Sequence, residues 1–211
     1  MPRPKLNDRS APEKMQQAFW TLLETKQYDR ITVNDIARTS GINRGSFYYH
    51  YGNIAELAED AIAAIYESPE VLDFITWIIH RSEDDIASLR LTRLLDMPQF
   101  RSSIQRIALV LGPHGSPALT RQFKDYVIGM WMTVFGIDAD VLDVSQQLTV
   151  EFIASGITGI FGRISEVAFE GDLDALNRLP IPGIVVQLLA SLRETAPADP
   201  PKPQSGDAEA A

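Results

Sequence analysis

Residues 44–50 form a dense run of hydrogen-bonding and aromatic side chains that could read a DNA duplex. Arg44 can bind guanine through two hydrogen bonds or pair with a phosphate, and Ser46 can contact a base or the backbone. Gly45 has no side chain, which lets the protein backbone approach a ligand closely. Further groups that suit phosphate oxygens follow in the chain: Tyr48, Tyr49 and His50.

Two short helices joined by a glycine turn are predicted to position this run. Thr32 precedes Asp35 by three residues, which is a capping-box spacing at a helix start. Gly41 stands where that helix must end, because glycine adopts the left-handed conformation without steric cost. Asn43 is then a good N-cap for a second helix, and the second helix of a helix-turn-helix enters the major groove.

An ordinary pair of packed helices is the alternative interpretation of the same residues. Phe47 and Tyr51 are four residues apart on one helical face, so both are expected in a core. Three consecutive large residues at 48–50 cannot all point inward, and at least one must meet solvent or a ligand. The pattern therefore favours a DNA-binding surface over a purely structural helix pair.

Residues 31–57 resemble the DNA-binding domain of the TetR/AcrR family of transcriptional regulators. The resemblance covers about the first third of the chain, and a predicted helix from about Glu13 to Lys26 fits the first helix of that domain. The residues that match the family in order and spacing are Thr32, Ile36, Ala37, Gly41, Ile42, Gly45, Phe47, Tyr48, His50, Tyr51 and Leu57.

Carried over by position, the resemblance implies DNA contacts from six residues. Base contacts are expected from Arg44, Ser46 and Tyr49, and phosphate contacts from Thr32, Tyr48 and His50. One position departs from the family, which often has a phosphate-binding lysine at the start of the fourth helix, where this chain has Ile54. The loss of one phosphate contact should weaken affinity and flatten its salt dependence.

Charge is distributed unevenly along the chain, which has a net charge of −9. Residues 1–52 hold eight Lys and Arg against five Asp and Glu, and the remainder holds 11 against 23. A mildly basic DNA-binding domain on an acidic body explains how an acidic protein can bind DNA, because the body repels the duplex and orients the domain.

The body is predicted to be helical, which makes the fold class all-α. We expect a helix-turn-helix domain at 1–52, a ligand-binding and dimerisation domain at 53–195, and a disordered tail at 196–211 because that tail lacks large apolar residues. Helices are expected at 55–67, 69–81, 83–95, 99–111, 117–135, 143–169 and 183–193, with a Gly/Pro-rich loop at 112–117. Helices 143–169 and 183–193 are the expected homodimer surface, as the resemblance also implies.

A small-molecule effector is a further implication of the resemblance, because members of the family usually release DNA when a pocket in the body is filled. Aromatic and methionine side chains on two body helices are the candidates for lining it, although such stripes are more often plain core. The candidates are Trp77, His80, Met130, Trp131 and Phe135.

Catalysis, cofactors and metals are not predicted. The three histidines share no motif spacing with acids or nucleophiles, and the chain contains neither cysteine nor a phosphate-binding glycine loop. The absence of a signal peptide or membrane span leads us to expect a cytoplasmic protein. The predicted function is a homodimeric, ligand-responsive repressor of a palindromic operator. The alternative is a coactivator of the same fold that docks onto a partner protein.

Overall fold

The computed structural model describes residues 10–67 and 98–170 of the chain. Within these ranges all regular secondary structure is helical, as the sequence predicts. The α-helices are α1 (Ala11–Leu23), α2 (Val33–Ser40), α3 (Arg44–His50), α4 (Ile54–Tyr66), α5 (Pro98–Leu111), α6 (Pro117–Phe135) and α7 (Val144–Glu170). Short 3-10 turns lie at Tyr28–Arg30 and Ala139–Val141.

Polar caps determine where the first helices begin. The Ser10 hydroxyl accepts from the backbone N–H of Glu13, and the Glu13 carboxylate accepts from the backbone N–H of Ser10 at 2.7 Å. This capping box, with proline in the first turn, starts α1 two residues earlier than expected. Thr32 and Asp35 form the capping box that the sequence predicts, and Gly41 ends α2 with a φ of 71°, in the left-handed region.

The head, which we define as residues 10–52, buries the apolar faces of α1, α2 and α3 against one another, and α1 also packs against α4. Met15, Phe19, Ile36, Phe47 and Leu57 all have no exposed side-chain surface in this core. The apolar positions of α1 recur every three to four residues and therefore face one direction. This packing fixes α3 relative to the rest of the head and leaves only its outer face exposed.

The body, which we define as residues 98–170, packs α5, α6 and α7 against one another and joins the head through α4. On α4, Tyr66 stacks on Tyr126 with ring centroids 5.5 Å apart and also contacts Phe123. Burial raises the pKa of Tyr66. Because α4 packs against both α1 and α6, its buried residues belong to one core that continues from head to body.

The described helices follow the predicted ones closely. The helices expected at 55–67, 99–111, 117–135 and 143–169 each begin and end within one residue of the observed bounds. The helices expected at 69–81, 83–95 and 183–193, and the tail from 196, lie outside the described residues. None of the helices in residues 10–67 and 98–170 has the length and apolar character that crossing a bilayer requires.

Candidate DNA-binding surface

The outer face of α3 carries the residues that the sequence singles out for DNA contact. Tyr49 is 84% exposed and Tyr48 is 52% exposed, and Arg44 and His50 are exposed as well. The Arg44 guanidinium lies 5.9 Å from the centroid of the Tyr48 ring, where a cation–π contact is favourable. Ser46 is half-buried. The expectation that residues 48–50 cannot all point inward therefore holds, and all three are exposed.

The inner face of α3 anchors this surface to the rest of the head. Phe47 is fully buried and Tyr51 is buried at the end of the helix. The Tyr51 hydroxyl donates to the carboxylate of Asp60 on α4, and the Gln16 side chain on α1 donates to the same oxygen at 2.8 Å. Burial, and then the bond to Asp60, raises the pKa of the Tyr51 hydroxyl. The Asp60 carboxylate thus ties the end of α3 to α4 and is itself held by Gln16 on α1.

The first turn of α3 explains why glycine stands at position 45. The Asn43 side-chain oxygen caps the helix by accepting from the backbone N–H of Ser46 at 2.8 Å. A Cβ added at Gly45 would lie 3.2 Å from that capping oxygen, closer than most real Cβ contacts. Glycine therefore preserves the cap and keeps the exposed first turn free of a side chain, which suits the close approach predicted for it.

Beside α3, the start of α2 holds a cluster of charges around Asp35. Lys26 pairs with one carboxylate oxygen at 2.5 Å and Arg38 with the other at 3.1 Å. The Thr32 hydroxyl donates to Asp35 at 2.7 Å. Hydrogen bonds from Lys26 and Thr32 lower the pKa of Asp35 to about 2. The predicted phosphate contact from Thr32 stays a prediction, and its hydroxyl proton is directed at Asp35 in this structure.

The start of α4 shows what replaces the lysine that the resembled family often has there. Ile54 is half-buried and packs against the core. The Glu56 carboxylate accepts from the backbone N–H of Gly52 at 2.7 Å and from the Asn53 side chain at 2.9 Å. Donors that could otherwise bind a phosphate are therefore occupied by an internal carboxylate, which strengthens the expectation of a weaker contact at this point.

The predicted effector residues are only partly within the described chain. Trp131 is buried and Met130 is half-buried, and both belong to the body core. Trp77 and His80 lie outside the described residues, so the proposed grouping of these side chains with Phe135 stays a prediction.

The sequence analysis missed the polar contacts that join the head to the body. The backbone N–H of Tyr28 donates to the carbonyl of His114 at 2.8 Å. The Gln122 side chain donates to the carbonyl of Ala55 at 2.7 Å. The Gly/Pro-rich composition of residues 112–117 indicated a loop, but no local pattern indicated that this loop contacts the head.

Comparisons with known proteins agree with this arrangement. Residues 18–61 match the family model described as "Bacterial regulatory proteins, tetR family". An uncharacterized HTH-type transcriptional regulator of Bacillus subtilis, YxbF, is 42% identical over 65 residues, which are 30% of this chain and 17% of YxbF. The alignment thus spans less than a fifth of that relative's length.

A solved structure extends the likeness to the body at the level of fold. The fatty acid degradation regulator FadR from Bacillus halodurans superposes with a TM-score of 0.52 at 12% identity, over 85% of this chain and 97% of the FadR chain. The predicted absence of enzymatic activity agrees with a family of regulatory proteins. Residues 18–61, which include α2 and α3, are thus similar to the bacterial regulatory proteins of the tetR family.

Proposed function

We propose that this protein is a ligand-responsive transcriptional repressor that binds a palindromic operator as a homodimer. The observation that carries the proposal is the exposed face of α3. There Arg44, Tyr48 and Tyr49 project from a helix whose opposite face is buried and whose end is tied to α4 by the hydrogen bond from Tyr51 to Asp60. A rigid helix that presents hydrogen-bond donors from its first turns suits entry into a major groove.

Dimerisation is supported by an apolar stripe on α7. Val144, Leu148 and Phe152 are four residues apart and are 71%, 63% and 73% exposed. Large exposed side chains on one helical face mark a protein interface. A two-fold interface would place two heads about 34–36 Å apart, which matches successive major grooves on one side of B-DNA. Helix 183–193, the other predicted dimer element, lies outside the described residues.

The route from body to DNA would run through α4. Gln122 and Tyr126 of α6 hold the two ends of this helix, and Asp60 in its middle holds Tyr51 at the end of α3. An effector that changes the packing of α6 would therefore tilt α4 and move α3. If the effector binds one arrangement a few kcal/mol more tightly than the other, that difference is sufficient to empty an operator.

The test is a titration of the full-length protein against duplexes selected from a random library and against the DNA flanking its own gene. Arg44→Ala should abolish sequence-specific binding. Arg121→Ala removes an exposed arginine from the body and is the matched control, which should bind as the parent does. Full specificity retained in Arg44→Ala would show that Arg44 does not read the operator.

A coactivator that docks onto a partner protein is the second candidate. The specific observation in its favour is at the start of α4, where Ile54 replaces a cation and Glu56 occupies the local donors. Under this alternative, selection from a random library would enrich no sequence, and Arg44→Ala would not change any binding to DNA.

A further inference from the structure

An open cleft of about 940 Å³ lies where α5 and α7 meet the end of α1. Its walls come from both parts of the molecule, because Glu24 belongs to the head while Gln105 and Ser155 belong to the body. The turn after α5 closes one side with Gly112 and Pro113. This volume lies in the range of small-molecule sites.

The lining combines aliphatic and polar side chains. Leu109 and Leu111 contribute apolar surface, while the Ser155 hydroxyl and the Arg163 guanidinium contribute hydrogen-bonding groups. A Cβ added at Gly159 would meet nothing within 4 Å, so there is free space beside the backbone of α7. No aromatic side chain is among the lining residues in the described part of the chain. The surroundings therefore suit an aliphatic molecule that carries several hydrogen-bonding groups.

The turn that closes the cleft is also a direct link to the head. The carbonyl of His114 accepts from the backbone N–H of Tyr28, which follows α1. The turn is tightly folded, because a Cβ added at Gly115 would lie 2.0 Å from the carbonyl oxygen of Val110. The hydrogen bond from Gly115 to the Gly112 carbonyl also closes the turn on itself. An occupant that displaces it therefore acts on the connection between α1 and α2.

We propose that this junction cleft binds a small aliphatic molecule bearing hydrogen-bonding groups, and that its occupation lowers operator affinity by displacing the 112–117 turn from the head. The inference rests on the proposed repressor function and assigns the effector a site there. This site differs from the group around Met130 and Trp131 predicted from the sequence, since neither residue lines the cleft.

The absence of cysteine from the chain allows the cleft to be filled at a chosen point. Ser155→Cys places one thiol in the cleft, and Thr133→Cys places one on the exposed surface of α6 away from it. Each full-length variant is alkylated to completion with N-cyclohexylmaleimide, whose aliphatic ring stays tethered to the sulfur. Operator affinity, sedimentation and amide exchange at Tyr28 are then measured before and after alkylation.

Before alkylation both variants should bind the operator as the parent does. Alkylation of Ser155→Cys should weaken operator binding about tenfold or more, within the range typical of allosteric coupling, and should speed exchange of the Tyr28 amide. Alkylated Thr133→Cys should be unchanged in both respects. Complete alkylation of Ser155→Cys without faster exchange at Tyr28 would overturn the proposal, as would dissociation of the dimer, because the cleft would then face the partner subunit.

Amide exchange at Tyr28 distinguishes a failure of the repressor proposal from a failure of the cleft proposal. If the unmodified protein selects no DNA sequence, the repressor function is wrong, whereas faster Tyr28 exchange in the alkylated protein would still support a coupled cleft. If the unmodified protein binds its operator normally and alkylation changes neither affinity nor exchange, only the cleft proposal is wrong.

Discussion

Replacing Asp35 with asparagine removes the charge at the centre of the ion-pair cluster beside α2. In the native protein this carboxylate accepts from Lys26, Arg38 and the Thr32 hydroxyl, and its side chain is 12% exposed. Asparagine keeps the size of the side chain and one acceptor oxygen. The substitution therefore tests the charge itself, with little change in packing.

The expected cost follows from the pKa of Asp35, which is lowered from 3.8 to about 2, first by the hydrogen bond from Lys26. That difference corresponds to about 2 kcal/mol of folding free energy at neutral pH. Lys26 is 32% exposed, so solvent screening makes this an upper value. Because the folded-state pKa lies below the unfolded one, the contribution is complete above about pH 5 and is lost as the pH falls towards 2.

Urea unfolding of the parent and of Asp35→Asn, followed by far-UV circular dichroism, measures this contribution. We expect the variant to be less stable by about 2 kcal/mol at pH 7 and by only about 1 kcal/mol at pH 3. The other carboxylates titrate in both proteins, so their effects cancel in the comparison. An equal difference at both pH values would refute the reasoning, because the loss would then not come from the carboxylate charge.

Three further substitutions test separate parts of the structure. Tyr49→Ala should leave the unfolding midpoint unchanged, because the side chain is 84% exposed, yet weaken operator binding at least tenfold in a fluorescence anisotropy titration. Phe152→Glu places a charge on the apolar stripe of α7 and should give a monomer in sedimentation velocity. The far-UV circular dichroism of the variant should stay that of the parent protein. A dimer of undiminished affinity would exclude this stripe from the interface. Gly115→Ala should lower the melting temperature by several degrees, because the new Cβ would lie 2.0 Å from the Val110 carbonyl oxygen. Gly129→Ala is the control and should not lower it, because a Cβ there would meet nothing within 4 Å. Equal melting temperatures in the two variants would contradict the tight turn.

Local features of the head were predictable from the sequence because they depend on residues three or four positions apart. The caps at Thr32 and Asn43 and the helix end at Gly41 are of this kind. Each is decided by a side chain that can reach only the adjacent backbone, or by the absence of a Cβ. The position of α3 along the chain, and the face that it exposes, followed from these signals.

Contacts between distant residues were not predictable in the same way. Gln16 and Asp60 are 44 positions apart, and they meet only because α1 and α4 pack side by side. The sequence analysis counted Lys26 and Arg38 as basic charges of the DNA-binding domain. The structure shows both paired with Asp35, because the fold brings residue 26 next to the first turn of α2.

This pairing bears on how strongly the head would bind nonspecific DNA under the proposed function. Each phosphate that a lysine or arginine neutralises adds about 0.9 to the salt exponent of nonspecific binding. Lys26 and Arg38 already have a carboxylate partner, so they release few counterions from the duplex. Under the proposed function, nonspecific binding by the head should therefore depend less on salt than its count of basic residues implies. Discrimination between DNA sites should then depend on the short-range contacts of α3.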